Sequence, residues 1–325
     1  MSNNKFVSFI KRNISVSITI TLFILMFLVG SILFRGFFST QVFYNLFIDN
    51  AFMMITAAGM TMVIITGGID LSVGSLIALT TMVMAHLSEK VGINPIFVVV
   101  ISLSVGTIFG LVHGIVISIF NVAPFIVTLA GMFLARGLCY IISTESITIN
   151  NDLFQKIALF KIPFINGSIT INVIIAIIVI VISYIILEYT KFGRILYAMG
   201  GNEQSAMLMG LGVKKTKVIV YTINGFLASL SGVVFALYML SGYSLHAQGG
   251  ELDTIASCVI GGTLLSGGVG NVVGTLFGVL ILGVIQTLIM FQGTLSSWWT
   301  RIAIGILLLF FILFQTFFVK KTNVE

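Results

Sequence analysis

The stretch PIFVVVISLSVGTIFGLVHGIVISI, residues 95–119, contains no Asp, Glu, Lys or Arg. A helix needs about 20 mainly apolar residues to cross the hydrocarbon core of a bilayer, and this stretch is long enough. The rest of the 325-residue chain is similar, because 58% of its residues are hydrophobic and 8% are charged. A soluble domain has about 25% charged residues. The sequence therefore predicts an all-α, polytopic transmembrane helical bundle in which residues 1–325 form a single domain.

About ten membrane spans follow from this apolar pattern. The first is too long for the apolar region of a cleaved signal peptide, so we expect it to stay in the protein. The tracts 50–88 and 251–290 are each interrupted only by glycine-rich turns, so either could instead form one span and a re-entrant piece. The predicted spans are 14–34, 50–66, 71–88, 95–119, 123–143, 168–188, 217–240, 251–267, 271–290 and 298–318.

Basic residues indicate the orientation, because Lys and Arg collect in the cytoplasmic loops of membrane proteins. With the N-terminus inside, ten of these residues fall in inner segments, and only Arg35, Lys90, Lys156 and Lys161 fall in outer ones. Both termini are therefore predicted to be cytoplasmic. The same bias accounts for the net charge of +6, so nucleic acid is not expected as a partner.

One predicted inner loop, residues 189–216, is long enough for a docking role. Its middle has the signals of a short helix: Asn202 suits the N-cap, Glu203 suits the positive end of the helix dipole, and Gly210 suits the stop. An ordinary polar connection is the alternative.

Glycines recur every four residues in two of the predicted spans. In lipid, small residues at this spacing let helix backbones approach closely. The spans 95–119 and 271–290 are therefore predicted to be crowded and central. The two glycine ridges are Gly106, Gly110, Gly114 and Gly270, Gly274, Gly278.

Asp70 is the most informative charge, because a carboxylate at membrane depth costs at least about 2.5–3.5 kcal/mol. Asp70 or Ser72 is predicted to cap the helix that follows, at the cytoplasmic membrane edge. A moving gate or a partner contact is the alternative, and a proton relay is the least favoured. The adjacent Gly67-Gly68 is repeated at Gly267-Gly268, which we interpret as shared turn chemistry.

The remaining polar residues do not indicate catalysis. Arg136 and Arg301 lie near span ends, where snorkelling to the interface is the default and lining of a polar path is the alternative. The three histidines form no close pair, so no metal site is predicted. No GxSxG or GxxxxGK[ST] motif occurs, so the chain is not expected to be an enzyme or to bind a cofactor. If ATP drives this protein, another subunit binds it.

Several motifs resemble one family. Gly59-Met60-Thr61, followed by Gly67-Gly68-Ile69-Asp70-Leu71-Ser72-Val73-Gly74-Ser75, resembles the signature of ribose-type ABC importer permeases. Further segments agree in the family's order over roughly 50–310. These are Pro124-Phe125-Ile126-Val127-Thr128-Leu129-Ala130, Phe192-Gly193-Arg194 leading to Gly200-Gly201-Asn202, and Gly261-Gly262 before Gly267-Gly268.

A closer resemblance concerns the substrate. The segments 252–257 and 293–300 resemble one of the two permease subunits of bacterial galactofuranose importers. The resemblance implies a permease domain in the inner membrane that moves a monosaccharide, galactofuranose, by alternating access. Ribose or another small sugar is one alternative, and an ion-coupled secondary transporter is another.

The resemblance also implies partners. These are a second permease subunit in a heterodimer, a cytoplasmic ATP-binding subunit that holds ATP and Mg²⁺, and a periplasmic sugar-binding protein. It implies that the loop 189–216 couples the permease to the ATPase. The residues expected to carry this coupling are Gly200, Gly201, Asn202, Glu203, Ala206 and Gly210.

Single cysteines introduced as Asp152→Cys and Lys214→Cys, in a chain that lacks Cys139 and Cys258, test the orientation. We expect a membrane-impermeant thiol reagent added outside to label position 152 at once. Position 214 should react only after the membrane is permeabilised, because the charge bias places it inside. Labelling in the reverse order would overturn the predicted orientation.

Overall fold

A computed structural model describes residues 14–294, 296 and 298–322. The predicted cytoplasmic positions before residue 14 lie outside these residues. The all-α prediction is confirmed, and among the described residues only two short antiparallel strand pairs accompany the helices. The α-helices are α1 (Ile14–Leu33), α2 (Thr40–Ile65), α3 (Val73–His86), α4 (Pro95–Ile119), α5 (Pro124–Ile142), α6 (Asp152–Leu159), α7 (Ile171–Tyr189), α8 (Lys191–Gly201), α9 (Glu203–Leu208), α10 (Val213–Met239), α11 (Gly250–Ile260), α12 (Val272–Gln292) and α13 (Trp298–Thr322). The strands are β1 (Ile147–Thr148), β2 (Lys161–Phe164), β3 (Gly167–Thr170) and β4 (Ser241–Gly242). Strand β1 pairs with β4, and β2 pairs with β3.

Within the described residues, seven helices are long and apolar enough to cross a membrane, namely α1, α2, α4, α5, α7, α10 and α12. Each predicted span coincides with one helix, although the total of ten crossings stays a prediction. The largest difference in boundary is α2, which begins at Thr40 and not at 50. Ser39 caps it by accepting a hydrogen bond from the Val42 amide at 3.1 Å, so the polar residues that follow are still helical.

The centre of the bundle is α2. In its most apolar window 83% of the residues are buried, and it packs against α7, α10, α11 and α12. The prediction that the span 95–119 is central is wrong, because only 22% of the corresponding window of α4 is buried. Outside its glycine face, α4 is a peripheral helix with exposed apolar side chains.

The first glycine ridge is confirmed as a packing surface. It lies against α10, where a methyl group at Gly106 would overlap the carbonyl oxygen of Gly225 and one at Gly110 would overlap that of Tyr221. At Gly114 the added Cβ would lie 2.7 Å from the Cα of Val218. The backbones of α4 and α10 therefore touch over three successive turns, which only glycine permits.

The second ridge works in the same way. Gly274 and Gly278 on α12 face the carbonyl oxygens of Gly261 and Ser257, and neither position has room for a side chain. Gly270, just before α12, would place a Cβ 2.7 Å from the Ile65 side chain. This ridge brings α11 and the end of α2 against α12.

The two ends of the bundle differ. We call the end that carries α8 and α9 the inner end, because its loops hold the predicted cytoplasmic lysines. The opposite end carries α6 and the strands, and we call it the outer end. There Asn151 donates its amide hydrogen to Glu89 at 3.1 Å, and Tyr44 donates to the Ile165 carbonyl oxygen at 3.2 Å.

Gly110→Ala should lower the stability of the detergent-solubilised protein by about 1–3 kcal/mol, the usual cost of overpacking a core. The control is Gly137→Ala on α5, where an added Cβ would have no neighbour within 4 Å. We expect that control to be neutral or slightly stabilising, because Gly weakens a helix relative to Ala. Equal thermal unfolding of the two variants would contradict the close α4–α10 contact.

Candidate functional site

Two helices of the bundle begin after non-helical stretches. The 11 residues of α11 extend about 16 Å at 1.5 Å per residue, which is too short for a hydrocarbon core about 30 Å thick. The 14 residues of α3 continue directly into a π-helical turn, Leu87–Val91. Each helix is preceded by a non-helical stretch, 66–72 before α3 and 243–249 before α11. The predicted span 251–267 is therefore wrong at its end, because α11 stops at Ile260 before the pair Gly261-Gly262.

The stretch 243–249 runs into the bundle beside α3. A Cβ on Gly242 would lie 2.5 Å from the carbonyl oxygen of Thr81, and a Cβ on Gly74 would lie 2.8 Å from the carbonyl oxygen of Ala247. Thr81 and Gly74 are seven residues apart on α3, a distance of about 10 Å along the helix axis. The chain therefore runs about 10 Å from the outer end towards the inner end before α11 begins. The side chain of Glu251, on α11, lies against Gly74.

Two arginines hold this descending stretch. Arg136 on α5 donates to the carbonyl oxygens of Ser244 and, at 3.0 Å, His246. Arg301 on α13 donates to the carbonyl oxygen of Gln248 at 3.1 Å. The guanidinium groups of both arginines satisfy backbone oxygens that no helix or strand satisfies, while the choice between snorkelling and lining a polar path stays a prediction. Irregular backbone at membrane depth requires such partners.

Asp70 lies in the other non-helical stretch and is fully buried. Its Oδ1 accepts hydrogen bonds from the Ser72 amide at 2.9 Å and the Ser72 hydroxyl at 2.6 Å, and its Oδ2 accepts one from Asn224 at 2.8 Å. Ser72 occupies the N-cap position of α3, but neither side chain accepts a hydrogen bond from an amide inside that helix. The helix-cap prediction is wrong in this respect, and the gate alternative stays a prediction.

Neighbouring helices complete the surroundings of Asp70. Thr128 on α5 accepts a hydrogen bond from the Leu71 amide at 3.2 Å, and Tyr221 on α10 lies against Gly68, where any side chain would overlap its hydroxyl. The sequence does not predict that Asn224, Thr128 and Tyr221 surround Asp70. They are single polar residues in apolar spans, and no local spacing relates them to Asp70.

At the inner end, α8 and α9 form the predicted loop 189–216. Thr190 caps α8 through the Gly193 amide at 3.2 Å, and Asn202 caps α9 through the Ser205 amide at 2.8 Å, as predicted for Asn202. Gly210 ends this unit with a φ of +76°, a conformation that favours glycine. The loop therefore contains two capped helices, and its docking role stays a prediction.

The six predicted coupling residues do not share one surface. Gly201, Asn202 and Gly210 are exposed, whereas Ala206 is fully buried. Glu203 forms an ion pair with Lys217 on α10, with 2.6 Å between Oε1 and Nζ. The exposed tip of α9 is instead apolar: Met207, Leu208 and Met209 are 42%, 89% and 67% exposed.

Gly200 joins this unit to the bundle. A Cβ on Gly200 would overlap the Ile65 carbonyl oxygen at the end of α2 and would lie 2.5 Å from the Gly268 amide nitrogen. Gly268 itself donates to the Ile65 carbonyl oxygen at 2.9 Å. Gly267, with φ +86°, would place a Cβ 2.8 Å from the Gly67 nitrogen. We call these main-chain contacts of 65–67, 200–201 and 267–268 the glycine junction.

Tyr197 on α8 reinforces the glycine junction. Its hydroxyl donates to the Gly270 carbonyl oxygen at 2.9 Å. Burial, with Glu188 nearby, raises the pKa of Tyr197 to about 12. The two similar Gly-Gly turns of the sequence therefore meet in space, one after α2 and one before α12, with α8 against both.

A bundle of apolar helices, with non-helical stretches before α3 and α11 and a capped helix pair on its inner end, is the architecture of a multi-pass membrane protein. The chain belongs to the family described as the branched-chain amino acid transport system permease component, whose model matches residues 42–312. Members of this family are transport subunits, so the prediction that the chain is not an enzyme is confirmed.

The chain is also similar to curated transport proteins over nearly its whole length. It is 48% identical to the inner membrane ABC transporter permease protein YjfF of Escherichia coli, covering 94% of this chain and 93% of that one. It is 41% identical to the fructose import permease protein FruG of Bifidobacterium longum, covering 91% and 88%. It is 38% identical to the ribose import permease protein RbsC of Escherichia coli, covering 86% of each. No solved structure matches the chain. The predicted family and multi-pass inner-membrane location are confirmed.

Gly200→Ala should separate α8 from the glycine junction, because a methyl group there overlaps the Ile65 carbonyl oxygen. We expect lower thermal stability and faster proteolysis between 189 and 216 in detergent. Gly201→Ala is the matched control, because its added Cβ would have no neighbour within 4 Å. The prediction fails if the two adjacent substitutions behave alike.

Proposed function

We propose that this chain is the membrane-spanning permease subunit of an ATP-driven sugar importer that moves galactofuranose by alternating access. The observation that carries the proposal is the inner helix pair. Its α9 presents an exposed apolar tip, and its α8 touches both glycine turns through main-chain atoms. A surface for a cytoplasmic partner is thus connected without a flexible linker to α3 and α11.

The connection explains how ATP hydrolysis on another subunit could move this one. An ATPase that holds α9 in two positions displaces α8, and the glycine junction passes this displacement to the ends of α2 and α12. Those turns precede α3 and follow α11, so both helices shift together. The permease contributes by having different affinities for two arrangements of its ATPase, which is what shifts a conformational equilibrium.

The choice of a sugar is supported by the relatives, two of which are named as fructose and ribose import permeases. The choice of galactofuranose rests on the segments 252–257 and 293–300. Asp253, Gly293 and Thr300 from these segments line one cavity of about 600 Å³ at the outer end of α12. Small-molecule sites commonly have volumes of about 300–1,000 Å³.

The partners follow from the same proposal. ATP and Mg²⁺ belong to a cytoplasmic ATP-binding subunit, and a periplasmic binding protein delivers the sugar. A second permease subunit in a heterodimer would cover part of the exposed apolar surface. On α5 that surface includes Phe133, Leu134 and Ile141, which are 66%, 58% and 81% exposed.

An ion-coupled secondary transporter is the second candidate, because such transporters also contain helices broken near the membrane midplane. Asp70 is the carboxylate that best fits a coupling ion. However, both of its oxygens already accept hydrogen bonds from Ser72 and Asn224. Sugar uptake by the chain alone, in vesicles with an ion gradient and no ATP, would favour this candidate.

Leu208→Asp tests the docking of α9. The change places a charge on an exposed apolar tip without touching the bundle, so expression should survive. We expect loss of co-purification with the ATPase and at least a tenfold fall in sugar import, because a buried unpaired charge is costly at an interface. Glu203→Arg is less informative, since it would oppose the cation of Lys217.

Leu208→Met is the control for this experiment. It keeps the exposed tip of α9 apolar and uncharged. We expect import close to that of the unmodified protein. If Leu208→Asp still binds the ATPase and imports sugar normally, the coupling role of α9 is refuted.

A further inference from the structure

The cavity at the outer end of α12 and α13 combines polar and apolar surfaces. Asp253 comes from the first turns of α11, Gln286 and Met290 from α12, and Thr300 and Arg301 from the start of α13. A carboxylate, an amide, a hydroxyl and a guanidinium group therefore surround one open volume. These groups provide both hydrogen-bond donors and acceptors, the set that a polyhydroxylated ligand needs.

Three of these side chains have unused hydrogen-bonding capacity. Among the described residues, no group donates to the Asp253 carboxylate, and no ion pair joins it to Arg301 within 4 Å. The side chains of Gln286 and Thr300 likewise make no hydrogen bond within the described part of the chain. All three residues are half-buried, so their polar groups can contact water or a polar solute in the open cavity.

The position of Asp253 is fixed from two sides. Arg301 holds the Gln248 carbonyl oxygen, and Gly249, with φ +81°, turns the chain into α11 immediately afterwards. Arg136 fixes the preceding residues through Ser244 and His246. Asp253 thus lies near the start of α11, and the glycine junction follows the other end of that helix.

We propose that Asp253, Gln286 and Thr300 form a sugar-contact subsite in the translocation path, with Asp253 accepting a hydrogen bond from a sugar hydroxyl. The inference rests on the proposed function and names the residues through which this chain would recognise its substrate. Arg301 is a positioning residue in the subsite, because its guanidinium group already holds the Gln248 carbonyl oxygen. Displacement of α11 changes the distance from Asp253 to Gln286 and Thr300, which lie on α12 and α13.

The test uses the complete complex in proteoliposomes, with the ATPase inside and saturating sugar-loaded binding protein outside. Import of galactofuranose is compared with import of analogues that each lack one hydroxyl. For the unmodified complex, removing the hydroxyl that Asp253 contacts should slow import about tenfold, as expected for a hydrogen bond to a charged group. The Asp253→Asn complex should import galactofuranose slowly. Removing the same hydroxyl from the sugar should slow its import little further, because the effects of changing two groups in contact do not add.

Gln286→Leu supplies a second variant, with Gln292→Leu as its matched control. Gln292 is exposed six residues further along α12 and is not among the residues that line the cavity. We expect import to fall for Gln286→Leu alone, with more ATP hydrolysed per sugar moved. Thr300→Cys should react with a membrane-impermeant thiol reagent from outside, because the subsite opens to the path.

The outcomes separate the subsite from the proposed function. If Asp253→Asn and the loss of each sugar hydroxyl lower the import rate additively, the proposed subsite is wrong. Import by the unmodified complex would still support the proposed function. The subsite is also wrong if Asp253→Asn lowers import only as much as it lowers co-purification of the second permease, since that would place Asp253 at a subunit interface. Failure of the unmodified complex to import any sugar would overturn the proposed function and the subsite with it.

Discussion

Inside a bilayer, every backbone amide and carbonyl group needs a hydrogen-bond partner within the protein or in a water-filled cavity. This chain leaves regular helix twice within its bundle, at 66–72 and 243–249, and each break has its own solution. The first is held by short polar side chains, because Asp70 and Thr128 accept hydrogen bonds from backbone amides. The second is held by Arg136 and Arg301, which approach carbonyl oxygens from different helices. The position of α5 and α13 around the centre follows from this requirement.

The two breaks are not independent. Gly74, at the start of α3, has room for no side chain because the Ala247 carbonyl oxygen and the Glu251 carboxylate lie against it. The beginnings of α3 and α11 therefore touch within the bundle, while the turns 66–72 and 261–271 meet again at the glycine junction. The glycine junction at the inner end and the descending stretch 243–249 are thus joined through α3 and α11. Such packed elements switch between arrangements and do not deform smoothly.

The sequence predicts the parts of this fold that depend on local pattern. Apolar length locates a helix at every predicted span, the four-residue glycine period identifies two real contact faces, and Asn202 and Gly210 mark the limits of α9. It fails where the answer depends on distant partners. The start of α11 follows a descending stretch held by Arg136 and Arg301, and no local signal pairs these arginines with the carbonyl oxygens of that stretch. The peripheral place of α4 was missed for a related reason, because Gly106, Gly110 and Gly114 show that one face is crowded but do not show that the other face is exposed.

The glycine junction has a consequence for how this protein can evolve. Its contacts join main-chain atoms of Ile65, Gly200 and Gly268, and a main-chain atom cannot be exchanged by substitution at surrounding positions. Only replacement of the glycines themselves alters it, so substitutions elsewhere leave these contacts intact. The outer cavity is lined mainly by side chains, which substitutions do replace. Under the proposed function, substrate preference can therefore diversify while the coupling contacts stay the same, which gives a gene duplicate a short mutational route to a new nutrient.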